Sequence, residues 1–223
     1  MSAVELFEKQ RAAGYNRFVE TWIPNYRYFL NLLPKLLLPL KEQKLLVVGC
    51  GTGNEIEPLV SVHKNWDITG IDPSPEMIDQ ARQKLQPYSN VKLIEGVVQN
   101  LKDSERYGAS TLLLVLHFLK DDGSKLELLQ QIAQRLTPGA PLILLDITGD
   151  SQQIEGNLNV LRAMIPEDVT TEEIEQRINR IANELHHVSE PRLSELLVQA
   201  GFTSPLRFFQ SAIYMGWMTT KAG

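Results

Sequence analysis

The stretch Val47-Val48-Gly49-Cys50-Gly51-Thr52-Gly53-Asn54-Glu55 decides the fold. It continues from Leu45 and Leu46, so a short apolar run leads straight into three glycines at alternate positions. A continuous apolar run of this length, ended by glycine, reads as a strand buried on both faces and predicts a parallel sheet. The glycines let the chain turn tightly and let a flat or anionic ligand lie against the main chain with no Cβ in the way. Asp72 stands nineteen residues after Gly53, at the end of the next apolar run. There a carboxylate can accept the hydroxyl hydrogens of a ribose, so the pair points to an adenosine-containing cofactor. A dinucleotide loop G-x-G-x-x-G/A starting at Gly49 needs Gly or Ala at position 54; the residue is Asn54, which disfavours NAD.

Outward from this loop, apolar runs alternate with helical segments. Strands are expected at Ile68 to Ile71, Val91 to Ile94, Thr111 to Phe118 and Pro141 to Ile147, and helices from Glu55, over Pro75 to Leu85 and over Lys125 to Leu136. Ser74 can cap the second helix with Pro75 in its first turn, and Thr137-Pro138-Gly139 ends the third. Such alternation implies a doubly wound sheet. Residues 1 to 40 read as a helical cap, with Phe7, Tyr15, Phe18, Trp22, Tyr26 and Phe29 near helical spacing and Pro24 and Pro34 breaking the run. Beyond the fifth strand come helical stretches over Gln153 to Met164, Thr171 to His187 and Pro191 to Ala200, the last closed by Gly201. Two β-rich runs, Leu206 to Phe209 and Ile213 to Thr219, are close enough to pair as an antiparallel hairpin.

Composition bounds the function. The 223 residues are 43% hydrophobic with a formal net charge of −5, which suits one globular unit with a sizeable core. The expected division is a cap over 1–40, a cofactor-binding core over 41–150, a helical insert over 151–190 and a closing helix and hairpin over 191–223. One cysteine, Cys50, excludes an intrachain disulfide, and the four histidines have no metal-ligand spacing, so no metal is expected. The stretch Leu30 to Leu40 is too short and too interrupted by Pro34, Lys35 and Pro39 to span a bilayer, and Met1 to Gln10 lacks the charged and apolar regions of a signal peptide. The expected location is the cytoplasm. Mild acidity does not indicate a nucleic-acid surface, although tRNA is not excluded, and either a monomer or a homodimer fits.

The glycine loop resembles the G-x-G-x-G loop of class I S-adenosylmethionine (SAM) methyltransferases. The resemblance continues through Gly70-Ile71-Asp72-Pro73-Ser74-Pro75-Glu76-Met77-Ile78, Leu136-Thr137-Pro138-Gly139 and Ala200-Gly201-Phe202. It implies a Rossmann-like, doubly wound, mostly parallel sheet ending in an antiparallel hairpin, SAM as cofactor and S-adenosylhomocysteine as product. It further implies that Gly49, Cys50, Gly51, Gly53, Asp72, Pro73 and Met77 hold the cofactor, joined by Val97, Val98 and Gln99 after the third strand. Two family positions depart from the pattern: the usual acid two residues before the first glycine is Val47, and the usual acid after strand three is replaced at Val97 and Val98, with Gln99 the nearest polar residue.

A narrower resemblance, in Trp22-Ile23-Pro24-Asn25-Tyr26, the insert from Gln153 to His187 and Phe208-Phe209-Gln210, is to the carboxy-SAM synthases of tRNA wobble-uridine modification. It places Tyr26 over the cofactor. The arginine that holds the extra carboxylate in that group falls here at Ile178, flanked by Arg177 and Arg180, which favours ordinary methyl transfer. Methyl transfer asks for alignment and desolvation more than for acid or base, and His117, beside Phe118 at a strand's carboxyl end, is the candidate base where a proton must leave. His186 and His187 read as a solvated helix end. The acceptor is expected to be a small molecule, in a mostly apolar pocket between cap, His117 and insert, with Tyr26, His117 and Arg162 as polar points. A carboxy-SAM synthase, a tRNA methyltransferase and a SAM-binding protein without turnover are the alternatives.

Overall fold

In the computed structural model the described residues are 9–38, 40 and 42–223; residues 1–8, Phe7 among them, Pro39 and Lys41 lie outside them. Seven strands, β1 (Lys44–Val48), β2 (Asp67–Asp72), β3 (Val91–Glu95), β4 (Ala109–Leu113), β5 (Pro141–Ile147), β6 (Leu206–Ser211) and β7 (Tyr214–Thr220), form one sheet in the order 3-2-1-4-5-7-6. The first five run parallel, whereas β7 pairs antiparallel with both β5 and β6, closing the sheet with the expected hairpin. Within β1, Leu45 and Val47 pack with one core cluster and Leu46 and Val48 with another. That is why the run is apolar at every position instead of at alternate ones.

Helices cover both faces. The cap is α1 (Lys9–Trp22) and α2 (Tyr26–Leu36), followed by α3 (Ile56–Val62), α4 (Pro75–Leu85), α5 (Ser124–Arg135), α6 (Ser151–Met164), α7 (Thr171–Asn183) and α8 (Glu190–Gln199). Ser74 caps α4 as expected, its hydroxyl accepting from the Met77 N–H at 3.3 Å. The cap is fixed to the far end of the sheet through Phe29, whose ring lies 5.9 Å from that of Phe208 and 5.1 Å from that of Phe209 and which rests on the bare backbone of Gly216. Truncating so large a buried side chain to alanine costs about 3–5 kcal/mol.

Three boundaries differ from the sequence reading. Pro34 does not break the cap; it sits in the last turn of α2. The helix expected to reach His187 stops at Asn183, because the chain beyond it turns to pair with the end of β5, where Thr148 bridges Val188 and the Gly149 N–H donates to Val188 O at 2.9 Å. The fourth strand ends at Leu113 and not at Phe118: Leu114 has φ +61°, and Leu116–Phe118 form a 3-10 turn. This bend carries His117 off the strand and over the sheet's carboxyl edge. Strand order reverses between β1 and β4, which makes the crevice above them the place where open α/β sheets bind ligands.

Candidate functional site

The glycine loop sits at that crevice. Gly49, Gly51 and Gly53 have φ of +68°, +50° and +78°, a region that costs side-chain-bearing residues free energy. A Cβ at Gly49 would come within 2.4 Å of Val115 Cγ2 and one at Gly53 within 2.7 Å of Leu85 Cδ1, so the loop lies flush between β4 and α4. The N–H groups of Gly49 and Cys50 both donate to Ile71 O, and the Gly51 N–H donates to Asp72 Oδ2 at 2.9 Å. Asp72 Oδ1 accepts the Ser74 N–H at 2.9 Å. Each carboxylate oxygen therefore keeps lone-pair capacity for a further donor, as recognition of two ribose hydroxyls requires. Burial raises the Asp72 carboxyl above its ordinary value against the lowering effect of the two N–H donors.

A cavity opens over this loop. Gly49, Gly51, Asp72, Pro73, Met77 and His117 all line it, which brings together half of the residues singled out in the sequence. The others are placed differently. Gly53 packs on Leu85 below the loop. Cys50 is buried in the core, with its thiol pushed well up by burial and by the Asp72 and Glu55 carboxyls, which leaves it an inert filler and not a cavity contact. Tyr26 is core as well: among the cap aromatics, Tyr15 and Phe18 line the cavity and Tyr26 does not, since its position at the start of α2 turns it inward. Val97, Val98 and Gln99 follow β3 outside the cavity wall, Val98 buried and Gln99 exposed, with the Val97 N–H held by Asn100 Oδ1 at 2.8 Å. Arg162 is also corrected. It points to solvent and pairs with both carboxylate oxygens of Glu175, each at 3.0 Å, because the helical pattern could not say which face of α6 meets α7.

His117 is 5% exposed and forms part of the cavity wall. Its Nδ1 lies 2.8 Å from Asp146 Oδ1. Asp146 also accepts the Leu116 and Ile147 N–H groups at 2.8 Å and that of Val115 at 3.2 Å. Burial would raise its carboxyl, but His117, Lys125 and the main-chain donor of Ile147 outweigh burial and hold it below the ordinary value. An ionised Asp146 can only accept, so His117 donates from Nδ1 and keeps Nε2 as the basic nitrogen. Asp146 was missed in the sequence reading, although a lone acid inside Leu142-Ile143-Leu144-Leu145-Asp146-Ile147 was a signal: a charge in a strand buried on both faces needs partners.

Two further groups were underestimated. From α7, Arg177 and Arg180 both line the cavity; the Arg177 guanidinium stacks 4.7 Å from the centroid of the Phe18 ring and lies beside the buried Tyr214. Beneath the glycine loop Glu55 is buried, with its carboxyl pushed up to about 8 by burial despite a 2.5 Å bond donated by the Thr111 hydroxyl. Thr111 stands opposite Val47 in the β1–β4 register, so Glu55 brings a carboxyl next to the position where the resembled family carries its acid.

A Rossmann-like sheet with a glycine loop, a strand-end aspartate and a mostly apolar cavity at its carboxyl edge is the frame of a nucleoside-cofactor enzyme. Residues 46–142 match the family model described as a methyltransferase domain, and this match, with the relatives and solved structures below, supports a class I SAM-dependent methyltransferase with SAM as cofactor. It is 27% identical over 168 residues to a carboxy-S-adenosyl-L-methionine synthase of Trichodesmium erythraeum, covering 73% of this chain and 66% of that protein. Its identity to the synthase of Shewanella piezotolerans is 24% over 229 residues, covering 96% and 92%. The fold matches human N-acetylserotonin methyltransferase in complex with SAM (TM-score 0.67, 19% identity, 97% of this chain and 57% of that one). It also matches the N-methyltransferase NodS of Bradyrhizobium japonicum with S-adenosyl-L-homocysteine (TM-score 0.63, 16% identity, 93% and 91%). Among the described residues no helix is long and apolar enough to cross a membrane.

Proposed function

We propose that the chain transfers a methyl group from SAM to a small molecule in the cytoplasm, with residues 1–223 working as one unit. The observation that carries this reading is His117, bonded to Asp146, in the wall of a mostly apolar cavity that Gly49, Gly51 and Asp72 also line. Bound SAM supplies an electrophilic methyl on a positive sulfonium. The residues fit such a group: the flush glycines let it approach the main chain, and Asp72 keeps acceptor capacity for the ribose. Phe18, Ile23, Leu113 and Phe118 exclude water around the acceptor, which favours in-line displacement. His117 Nε2 accepts the proton of an oxygen or nitrogen nucleophile, and Asp146 stabilises the imidazolium that results. His117→Ala should lower turnover ~10²-fold or more and leave SAM affinity nearly unchanged; equal turnover of the two proteins would reduce His117 to a structural residue.

A second reading, a carboxy-SAM synthase, is favoured by Arg177 and Arg180 in the cavity wall, which supply the cation that counting along the sequence had placed at Ile178. Mass spectrometry of the nucleotide that copurifies separates the two. SAM or S-adenosylhomocysteine supports methyl transfer, and carboxy-SAM overturns it.

A further inference from the structure

Lys125, near the start of α5, is 1% exposed. Its ammonium donates to two main-chain carbonyls, Leu116 O in the turn that bears His117 and His186 O, the latter at 2.7 Å. The His186 N–H in turn donates to His117 O at 2.8 Å. The segment after α7 is thus clamped to the His117 turn at two points, and Lys125 closes the clamp. Burial lowers the Lys125 ammonium from its ordinary value, while Asp146 and Asp121 act to raise it. Two carbonyl dipoles replace part of its hydration but none of its counter-charge. A methionine would fill the same volume without that desolvation, so packing alone gives no reason for an ammonium here.

We propose that Lys125 is a positioning residue for methyl transfer. It fixes the turn so that His117 faces the cavity while bonded to Asp146, and it joins the helical insert to that turn. This rests on His117 being the base. His117 is bonded to Asp146 from β5 and shares the cavity wall with Arg177 and Arg180 from α7 and with Tyr15, Asp72 and Tyr214. Lys125 is held against the turn itself, by way of Leu116 O.

The test reads the imidazole itself, with no acceptor present, by two-dimensional NMR of the histidine ring nitrogens in the full-length protein. In Lys125→Met the clamp opens, so the His117 Nδ1–H held by Asp146 and the His186 amide should both exchange faster with solvent, by about tenfold or more. Lys125→Gln can still donate to one of the two carbonyls, so its two exchange rates should fall between those of wild type and the methionine variant. If Lys125→Met does not fold, the glutamine variant alone decides through the Nδ1–H exchange rate. A folded variant whose His117 Nδ1–H signal and exchange match wild type overturns the proposal, even where stability has fallen. Because turnover is not read, this outcome is separate from the His117→Ala result, which tests the base itself.

Discussion

Replacing Asp146 by asparagine separates its structural and chemical parts. Oδ1 accepts from His117 Nδ1 and the Ile147 N–H, and Oδ2 from the Leu116 and Val115 N–H groups. An amide nitrogen in the Oδ2 place would face two main-chain donors and lose both bonds. In the Oδ1 place it loses only the Ile147 bond, because the imidazole can move its proton to Nε2 and accept at Nδ1. The second orientation is therefore adopted. One stranded N–H and three bonds weakened from charged to neutral, offset by easier burial of an amide, amount to roughly 2–4 kcal/mol of stability. The chemical effect is larger, since a protonated Nε2 cannot take the acceptor's proton, and turnover should fall ~10²–10⁴-fold with SAM affinity unchanged. Asp146 is held below its ordinary value, so the stability it contributes is present above the usual carboxylate range and is lost as pH falls through its folded pKa. Asp146→Asn should flatten that acid-side loss. Denaturant unfolding across pH, turnover and ring-nitrogen NMR check the three parts; a variant that keeps the Nδ1–H tautomer and near-wild-type turnover would refute the reasoning.

Three other substitutions probe the cofactor seat. Asp72→Ala should weaken SAM binding by roughly 1–3 kcal/mol in calorimetry while the fold survives, and full affinity would show that the carboxylate only holds Gly51 and Ser74. Gly49→Ala forces a Cβ to within 2.4 Å of Val115 Cγ2 at φ +68°, so it should lower the unfolding midpoint and abolish measurable SAM binding; an alanine protein with wild-type affinity contradicts the flush loop. Glu55 has a carboxyl raised to about 8, which makes it a group that costs stability increasingly as pH rises from its ordinary value of 4.5 towards 8. Glu55→Gln should remove that slope, so its stability relative to wild type should grow with pH across this window in unfolding experiments.

Local chemistry made part of this protein legible from its sequence. The glycine loop, Asp72 and the Ser74-Pro75 helix start are each set within a few residues, and the structure reproduces all three. Leu112 to Leu116 are uniformly apolar with no glycine or proline, so nothing local announces that the strand ends at Leu113. The bend is stabilised by Asp146, thirty residues away, which takes the Val115 and Leu116 N–H groups. The same distance hid the partner of His117. Which face of a helix meets the cavity is likewise set by tertiary packing, which is why Arg177 and Arg180 line it while Arg162 lies outside, and why Tyr15 lines it in place of Tyr26.

The central claim is methyl transfer to a small molecule beside the His117–Asp146 pair. SAM carrying a trideuterated methyl group, incubated with the enzyme, total tRNA and a small-metabolite extract, tests it most directly when every fraction is read by mass spectrometry. The account predicts label in a small molecule, with S-adenosylhomocysteine formed in step and both lost in His117→Ala. Label confined to tRNA, or conversion of the SAM to its carboxylated form with no acceptor labelled, would contradict it.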